Sequence, residues 1–269
     1  MKILVLGSTG MLGYSVGKYF INKYGEDNVY LSYRKKELSY GSKSFYFNAM
    51  DCDFDFIYCD YVINCIGIIK QNTKWDSYEA IKINSCFPIE LSRYCKKNNM
   101  KLIQITTDCV FSGKEGGYVE ESIHDALDEY GKSKSLGEEC KKKSMVIRTS
   151  VIGEEIHNNV SLVSWVKSQH GKNINGYINH FWNGVTCLQY AKICEQIIEN
   201  KLYKDGLYHV FSNSVNKYDL VSMINDHFKL NITVNPFRTE TLCDRTLSTT
   251  KELNSKLDIP LIEKQIKEM

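Results

Sequence analysis

A tyrosine and a lysine four residues apart are the side chains of this sequence best placed to do chemistry. Tyr130 and Lys134 lie in the run Asp128-Glu-Tyr-Gly-Lys-Ser-Lys-Ser-Leu-Gly-Glu138, and this spacing puts both on one face of a helix. An ammonium beside a phenol favours the phenolate, so we expect the pKa of Tyr130 to lie below its ordinary value of about 10. Such a pair can transfer a proton, as carbonyl reduction requires.

This spacing is weak evidence when it is taken alone. The chain contains 18 tyrosines and 34 lysines and arginines, so the two residue types also occur four residues apart by chance. The alternative is that Tyr130 and Lys134 lie on an ordinary solvated helix face. The elements that would position the pair decide between these interpretations.

The N-terminal segment has the pattern of a strand, a tight turn and a helix. An apolar run over residues 3–6 is followed by Gly7, Gly10 and Gly13 and then by a helix-like stretch to Tyr24. Glycines let the backbone approach a pyrophosphate, whose charge the N–H groups and dipole of the new helix receive. The pattern favours nucleotide binding over the alternative, a turn with close helix packing.

The end of the next predicted strand, residues 28–34, indicates which nucleotide binds. Arg34 and Lys35 stand where NAD-binding folds commonly carry an acidic residue. A guanidinium offers a forked set of donors to the extra phosphate of NADP. Arg34 therefore favours NADPH, with NADH as the alternative cofactor and a solvated basic turn as the alternative role.

The chain as a whole has the alternation of an α/β protein. Its 269 residues, 43% of them hydrophobic, can bury a substantial core. Alternating strand-like and helix-like segments predict a doubly wound parallel sheet of the Rossmann type. We expect an NADP-binding domain over residues 1–150 and a smaller, discontinuous substrate-binding lobe over 151–269, from which residues 188–212 return to the main sheet. The predicted strands are 3–6, 29–33, 45–47, 61–66, 102–105 and 146–147, and the clearest helices are 75–98, bent or divided at Pro88, and 130–143.

Charge, histidines and cysteines exclude several classes of partner. The net charge of +2 gives no basis for nucleic-acid binding, and no apolar stretch is long enough to span a membrane. The six histidines lack metal-ligand spacing, so we expect no metal. The ten cysteines include no Cys-x-x-Cys pair and are expected to be free thiols in the cytoplasm.

Several motifs in a fixed order resemble those of the extended short-chain dehydrogenase/reductases. Within them, the sequence is similar to the dTDP-4-dehydrorhamnose reductase-like family of sugar-nucleotide reductases, over nearly the whole chain. The ordered combination is more specific than any single motif. The matching segments are Gly7-x-x-Gly10-x-x-Gly13, Asn64-Cys-Ile-Gly67, Ile105-Thr-Thr-Asp-Cys-Val-Phe-Ser-Gly113, Tyr130-Gly-Lys-Ser-Lys-Ser-Leu-Gly-Glu138, Ile147-Arg-Thr-Ser150 and Asp244-Arg-Thr-Leu-Ser248, together with Asn84.

The resemblance implies a role for each matching position. The catalytic residues that it implies are Thr107, Tyr130 and Lys134. The cofactor-binding residues are Gly7, Thr9, Gly10, Met11, Leu12, Gly13, Arg34, Asn48, Cys65, Ile66 and Gly67, with Tyr130 and Lys134. The substrate-binding residues are Lys70, Thr107, Asp108, Val151, Trp182, Asn183 and Arg245.

The resemblance implies NADPH-dependent reduction of the 4-keto group of a nucleotide-linked 4-keto-6-deoxyhexose, in deoxysugar biosynthesis for surface polysaccharide. Val151 and Cys109 replace aromatic residues of the family beside the expected substrate pocket, so the nucleotide and the sugar stay open. Two other functions remain as alternatives, a sugar-nucleotide 4-epimerase and a non-catalytic NADP-binding regulatory subunit. A homodimer is also compatible with the sequence.

Overall fold

The structure is a computed structural model, which describes residues 1–35, 40–54, 58–69, 75–155 and 160–269. In chain order, its strands are β1 (Ile3–Leu6), β2 (Val29–Tyr33), β3 (Ser44–Tyr46), β4 (Tyr61–Asn64), β5 (Lys101–Thr106), β6 (Met145–Arg148), β7 (Val151–Ile152), β8 (Asn173–Tyr177), β9 (His180–Trp182), β10 (Val185–Thr186), β11 (Gly206–His209), β12 (Val215–Asn216), β13 (Thr233–Phe237) and β14 (Cys243–Asp244). Its helices are α1 (Met11–Tyr24), α2 (Ser77–Ile81), α3 (Phe87–Lys97), α4 (Glu129–Gly137), α5 (Leu162–Lys167), α6 (Cys187–Glu199), α7 (Lys217–Phe228) and α8 (Ile262–Lys267).

A parallel sheet of seven strands forms the centre of the molecule. Its order is β11-β6-β5-β4-β1-β2-β3, and every neighbouring pair is parallel. The predicted doubly wound sheet is therefore confirmed. The chain turns in opposite directions after β1 and β4, so the loops at their carboxyl ends separate and leave a crevice for a ligand.

Strand β1 shows why its apolar run is continuous. Ile3 and Val5 pack in one apolar cluster with side chains of α1 and α6, whereas Leu4 and Leu6 pack in a second cluster with side chains of α3. Successive side chains of a strand point to opposite faces. Helices cover both faces of this sheet, so every position of β1 is buried and apolar.

Two helices show interruptions. The segment predicted as a helix over 75–98, bent or divided at Pro88, is divided by a π-helical turn, Lys82–Cys86, just before the proline. Pro88 explains the interruption, because proline lacks the N–H that would bond to the carbonyl of Asn84. The helix expected over 130–143 becomes a 3₁₀ helix at Glu138–Lys142.

The remaining strands form three small sheets, β10-β7, β12-β9-β14 and β13-β8. Helices α5, α7 and α8 pack with them around a third apolar cluster that includes Trp182. Strand β11, from the same half of the chain, instead joins the central sheet beside β6. The division of the chain into two domains stays a prediction.

Two further features concern membrane-spanning helices and disulfides. Within the described part of the chain, no helix is both long enough and apolar enough to cross a membrane. All ten cysteines lie in the described ranges, and none of them forms a disulfide.

Candidate active site

Two glycines shape the turn between β1 and α1. Gly7 has a φ of +81°, a left-handed conformation that glycine adopts without strain. At Gly13, an added Cβ atom would lie 2.2 Å from the Gly7 carbonyl oxygen. Only glycine therefore lets the first turn of α1 pack so closely on the end of β1.

The start of α1 is open to an anion. Its N-cap residue, Gly10, makes no side-chain hydrogen bond to the helix and is exposed. The N–H groups of the first turn, which begins at Met11, therefore remain available to a ligand, and the helix dipole adds a partial positive charge. Thr9 precedes the cap, and Leu12 is buried behind it. These residues fit the pyrophosphate of a dinucleotide cofactor.

Arg34 lies exposed just beyond the end of β2, and the fold brings a carboxylate to it that the sequence around it did not indicate. The Arg34 Nη1 atom is 3.3 Å from Oε1 of Glu79, at the start of α2. Both side chains are about 40% exposed, at 41% and 37%, so the ion pair is weak. Glu79 would compete with a cofactor phosphate for the guanidinium.

Replacing Glu79 by glutamine is therefore expected to lower KM for NADPH by about two- to fivefold, the scale of a surface ion pair. KM for NADH, which lacks the phosphate, should stay the same. Steady-state kinetics with both cofactors checks this, and the exposed Glu26→Gln is the control. Equal changes for the two cofactors would remove Arg34 from the phosphate site.

A second segment of the predicted cofactor site follows β4. The side chain of Asn84, in the π-helical turn, holds this segment in place. Its amide exchanges hydrogen bonds with the backbone of Ile68, both at 2.9 Å, and donates to Ser133 Oγ of α4 at 3.1 Å. The loop carrying Cys65, Ile66 and Gly67 is thereby tied to the helix that carries Tyr130 and Lys134.

Two glycines let α4 lie close to its neighbours. A Cβ atom at Gly131 would be 2.4 Å from the Cys109 carbonyl oxygen, and one at Gly137 would be 2.0 Å from the Asn84 carbonyl oxygen. Such distances are too short for any side chain. The spacing Tyr-Gly-x-Ser-Lys-x-x-Gly-Glu therefore combines two reactive residues with two sites of close packing.

The fold brings Thr107 and Tyr130 together. Thr107 follows β5, is buried, and accepts a hydrogen bond from the Cys109 N–H at 3.1 Å. Its hydroxyl also lies beside the Tyr130 phenol and acts to lower the pKa of Tyr130. Burial has the larger and opposite effect, and the pKa of Tyr130 is raised above its ordinary value. The expected low pKa of Tyr130 is thus wrong, because desolvation disfavours the phenolate.

Lys134 is also buried. Burial lowers its pKa, and the nearby Glu138 carboxylate partly opposes that change. A Cβ atom added to Gly67 would lie 3.6 Å from Lys134 Nζ, so the ammonium reaches the loop after β4. Lys134 consequently links the catalytic helix to the predicted cofactor-binding loop.

Asp108 lies next to Thr107 and receives a hydrogen bond from its hydroxyl at 3.2 Å. Burial raises the pKa of Asp108, while the positive charges of Arg245 and Lys217 oppose the rise. Arg245, a predicted substrate contact, is held in place because its Nε donates to the Phe111 carbonyl oxygen at 3.0 Å. Lys217 was missed by the sequence analysis, since no motif marks it.

Other predicted site residues have structural contacts. Asn183 is buried, and its amide exchanges hydrogen bonds with the Leu247 backbone at 2.8 and 2.9 Å, which fixes the segment after Arg245. Trp182 packs in the third apolar cluster, and Val151 packs against the first.

The side chain of Asn48, a predicted cofactor contact, is hydrogen-bonded to the Asp51 side chain and to the backbone of Met50. Lys70 lies outside the described residues. Ligand binding by these residues stays a prediction.

A buried ion pair anchors the end of α4. Arg148 Nε donates to Glu138 Oε1 at 3.0 Å, and the two side chains are 0% and 1% exposed. The Arg148 guanidinium also lies 2.6 Å from Nε2 of both His124 and His209 and 4.9 Å from the centroid of the Phe111 ring. Since a guanidinium can only donate, both imidazoles accept its hydrogen bonds in their neutral form.

This network predicts a loss of stability in weak acid. Burial and the neighbouring Arg148 charge lower the pKa of His209 from 6.5 to about 4. Between these two pH values the unfolded chain binds the proton and the folded chain does not, so stability is complete above pH 6.5 and falls towards pH 4. For His209 the expected loss is about 1–3 kcal/mol.

Urea unfolding at pH 7 and pH 5 measures this loss. In His209→Gln, which keeps an acceptor for Arg148, the decrease in unfolding free energy between the two pH values should be smaller than in the unchanged protein. The exposed His170→Gln serves as the control. An unchanged decrease in His209→Gln would assign the acid sensitivity to the carboxyl groups instead.

Three comparisons relate this site to known proteins. A family model described as RmlD substrate binding domain matches residues 1–268. The chain is 26% identical over 242 residues to dTDP-4-dehydrorhamnose reductase of Aggregatibacter actinomycetemcomitans, covering 84% of this chain and 78% of that protein.

Solved structures share the fold over almost the whole chain. The dTDP-4-dehydrorhamnose reductase of Bacillus anthracis, in complex with NADP, superposes with a TM-score of 0.78 at 21% identity, covering 99% of this chain and 97% of that one. MoeE5 in complex with UDP-glucose and NAD superposes with a TM-score of 0.76 at 15% identity, covering 99% and 96%.

Proposed function

Because this chain belongs to the RmlD substrate binding domain family, we propose that it reduces the 4-keto group of a nucleotide-linked 4-keto-6-deoxyhexose with NADPH. It is an NAD(P)H-dependent oxidoreductase that acts on sugar nucleotides, and its reaction belongs to deoxysugar biosynthesis. The observation that carries the proposal is that Thr107 lies beside Tyr130, that Tyr130 and Lys134 share helix α4, and that the glycine turn at the start of α1 is open.

The residues of the site divide the work of carbonyl reduction. When bound, the nicotinamide cofactor supplies the hydride. Tyr130 donates its phenolic proton to the oxygen that becomes a hydroxyl, and Thr107 hydrogen-bonds the same oxygen. Burial raises the pKa of Tyr130, so the phenol carries its proton at neutral pH, the form that a reduction needs.

Lys134 has two tasks in this proposal. It orients the cofactor ribose and, through its charge, stabilises the phenolate that Tyr130 forms after giving up its proton. Gly7, Gly10 and Gly13 hold the pyrophosphate at the start of α1. Arg34 binds the additional phosphate of NADPH, and NADH remains an alternative cofactor.

The test follows the oxidation of NADPH and NADH by the purified protein with dTDP-, UDP- and GDP-linked 4-keto-6-deoxyhexoses, with and without a 3,5-epimerase. Turnover of one of these sugars to its alcohol is the expected result. Tight NADPH binding without turnover of any of them would count against the reductase. Cofactor that co-purifies and persists as NAD would instead favour the 4-epimerase.

Two further expectations belong to the same proposal. We place the enzyme in the cytoplasm, and its ten free cysteines suit a reducing compartment. The homodimer stays a prediction, which sedimentation of the purified protein would check.

A further inference from the structure

Two cationic side chains, Lys217 and Arg245, flank the sheet β12-β9-β14 near His180. Strand β9 lies in the middle and begins with His180, while β12 and β14 flank it. Lys217 is the first residue after β12, and Arg245 is the first residue after β14. Because β12 is antiparallel and β14 parallel to β9, the register places Lys217 level with His180 and Arg245 level with Trp182. Their backbones are thus two strand spacings apart across β9, about 10 Å, and offset along it by two residues, about 7 Å.

The long side chains of Lys217 and Arg245 both extend towards the segment Asp108–Phe111, where Arg245 Nε donates to the Phe111 carbonyl oxygen. Both charges act on the carboxyl of Asp108 and oppose the rise that burial causes in its pKa. The same two charges also lower the pKa of His180, although burial is the larger cause. Asp108 accepts a hydrogen bond from Thr107, which lies beside Tyr130. The cations therefore lie in the cleft that holds the predicted catalytic residues.

These cations have donors to spare. The Lys217 ammonium lies 5.3 Å from the centroid of the Trp182 ring. Among the described residues, charges act on it but none forms a hydrogen bond or ion pair with it. Arg245 uses its Nε to contact Phe111, but its two terminal nitrogens have no acceptor in the described ranges. Burial lowers the pKa of Lys217, and the Asp108 carboxylate partly opposes that change.

We propose that Lys217, together with Arg245, binds the diphosphate of the nucleotide-sugar substrate, each cation holding one of the two phosphates. This inference rests on the proposed function and extends it to a residue that no motif identifies. A diphosphate supplies two anionic groups in a row, which matches two converging cations whose donors are free. The aromatic face of Trp182 keeps the lysine side chain directed into the cleft.

The first test measures the affinity of the full chain for dTDP, UDP and GDP by calorimetry. For the diphosphate that binds, the affinities of the corresponding nucleoside monophosphate and nucleoside are then measured in the same way. Lys217→Met is expected to weaken binding of the nucleoside diphosphate by about 10- to 100-fold, the scale of a hydrogen bond between charged groups. Binding of the monophosphate should weaken less, and binding of the nucleoside and of NADPH should not change. Lys217→Arg should restore part of the affinity.

Lys229→Met is the matched control, because it removes the same charge from the exposed other end of α7. Thermal unfolding shows whether each variant is folded, and Lys217→Arg keeps the test valid if Lys217→Met is not. Unchanged binding of the diphosphate in Lys217→Met overturns the inference. An equal loss of affinity for the diphosphate and for the nucleoside also overturns it. A failure of the unchanged protein to bind any of the three diphosphates overturns it as well.

The binding test does not depend on turnover, so the two proposals fail separately. A protein that binds a nucleoside diphosphate through Lys217 but reduces no 4-keto sugar would refute the reductase and keep the diphosphate site. A protein that reduces such a sugar, with KM and diphosphate affinity the same in Lys217→Met, would keep the reductase and refute the diphosphate site.

Discussion

Replacing Tyr130 by phenylalanine is expected to lower kcat by about 10²- to 10⁴-fold, the usual contribution of a positioned general acid. The ring still fills its place beside Thr107, so the variant should fold and bind NADPH with the affinity of the unchanged protein. Only the proton donor to the developing alkoxide is lost. Single-turnover oxidation of NADPH, with the sugar substrate in excess, measures the effect on the chemical step.

Tyr203→Phe is the matched control for this change. Its hydroxyl bonds to Asp205 at 3.2 Å, and its ring lies 6.2 Å from that of Tyr61, at the amino end of β4. Since the predicted active site lies at the carboxyl ends of the strands, this variant should keep its kcat. Turnover of Tyr130→Phe at the rate of the control would exclude Tyr130 as the proton donor.

Replacing Glu138 by glutamine is expected to lower the free energy of unfolding by about 3–5 kcal/mol, the cost of leaving a buried charge without its partner. Arg148 is 0% exposed and has Glu138 as its partner carboxylate. Its other contacts, Nε2 of His124 and of His209, are neutral acceptors. Glutamine keeps the shape of the side chain and can still accept from Thr106, so the loss isolates the charge.

The adjacent residue provides the control. Glu139 is 49% exposed and pairs with Lys142 at the surface, so Glu139→Gln should change the unfolding free energy by less than about 1 kcal/mol. Urea denaturation of both variants at pH 7 compares them directly. Similar small losses in the two variants would mean that Arg148 reaches water or another acceptor once Glu138 is neutral.

Much of the fold and part of the site follow from features that are local in the sequence. The glycines at 7, 10 and 13 directly follow a buried strand, and the structure indeed forms a strand, a turn and the helix Met11–Tyr24 there. Tyr130 and Lys134 are one helical turn apart, so their shared face depends only on helix geometry. The order of strands and helices similarly requires right-handed crossovers onto a parallel sheet.

Only the tertiary structure decided which distant groups meet and how far water is excluded from them. It pairs Arg34 with Glu79, 45 residues away, and brings Lys217 and Arg245 to Asp108. It also partly buries Tyr130, and this desolvation reverses the direction of its expected pKa change. The sequence alone determined the local features, namely the glycine turn and the shared helix face of Tyr130 and Lys134, because spacing fixes which side chains of one helix or turn are neighbours. Long-range contacts and desolvation depend on the packing of whole elements, for which a single sequence contains no local signal.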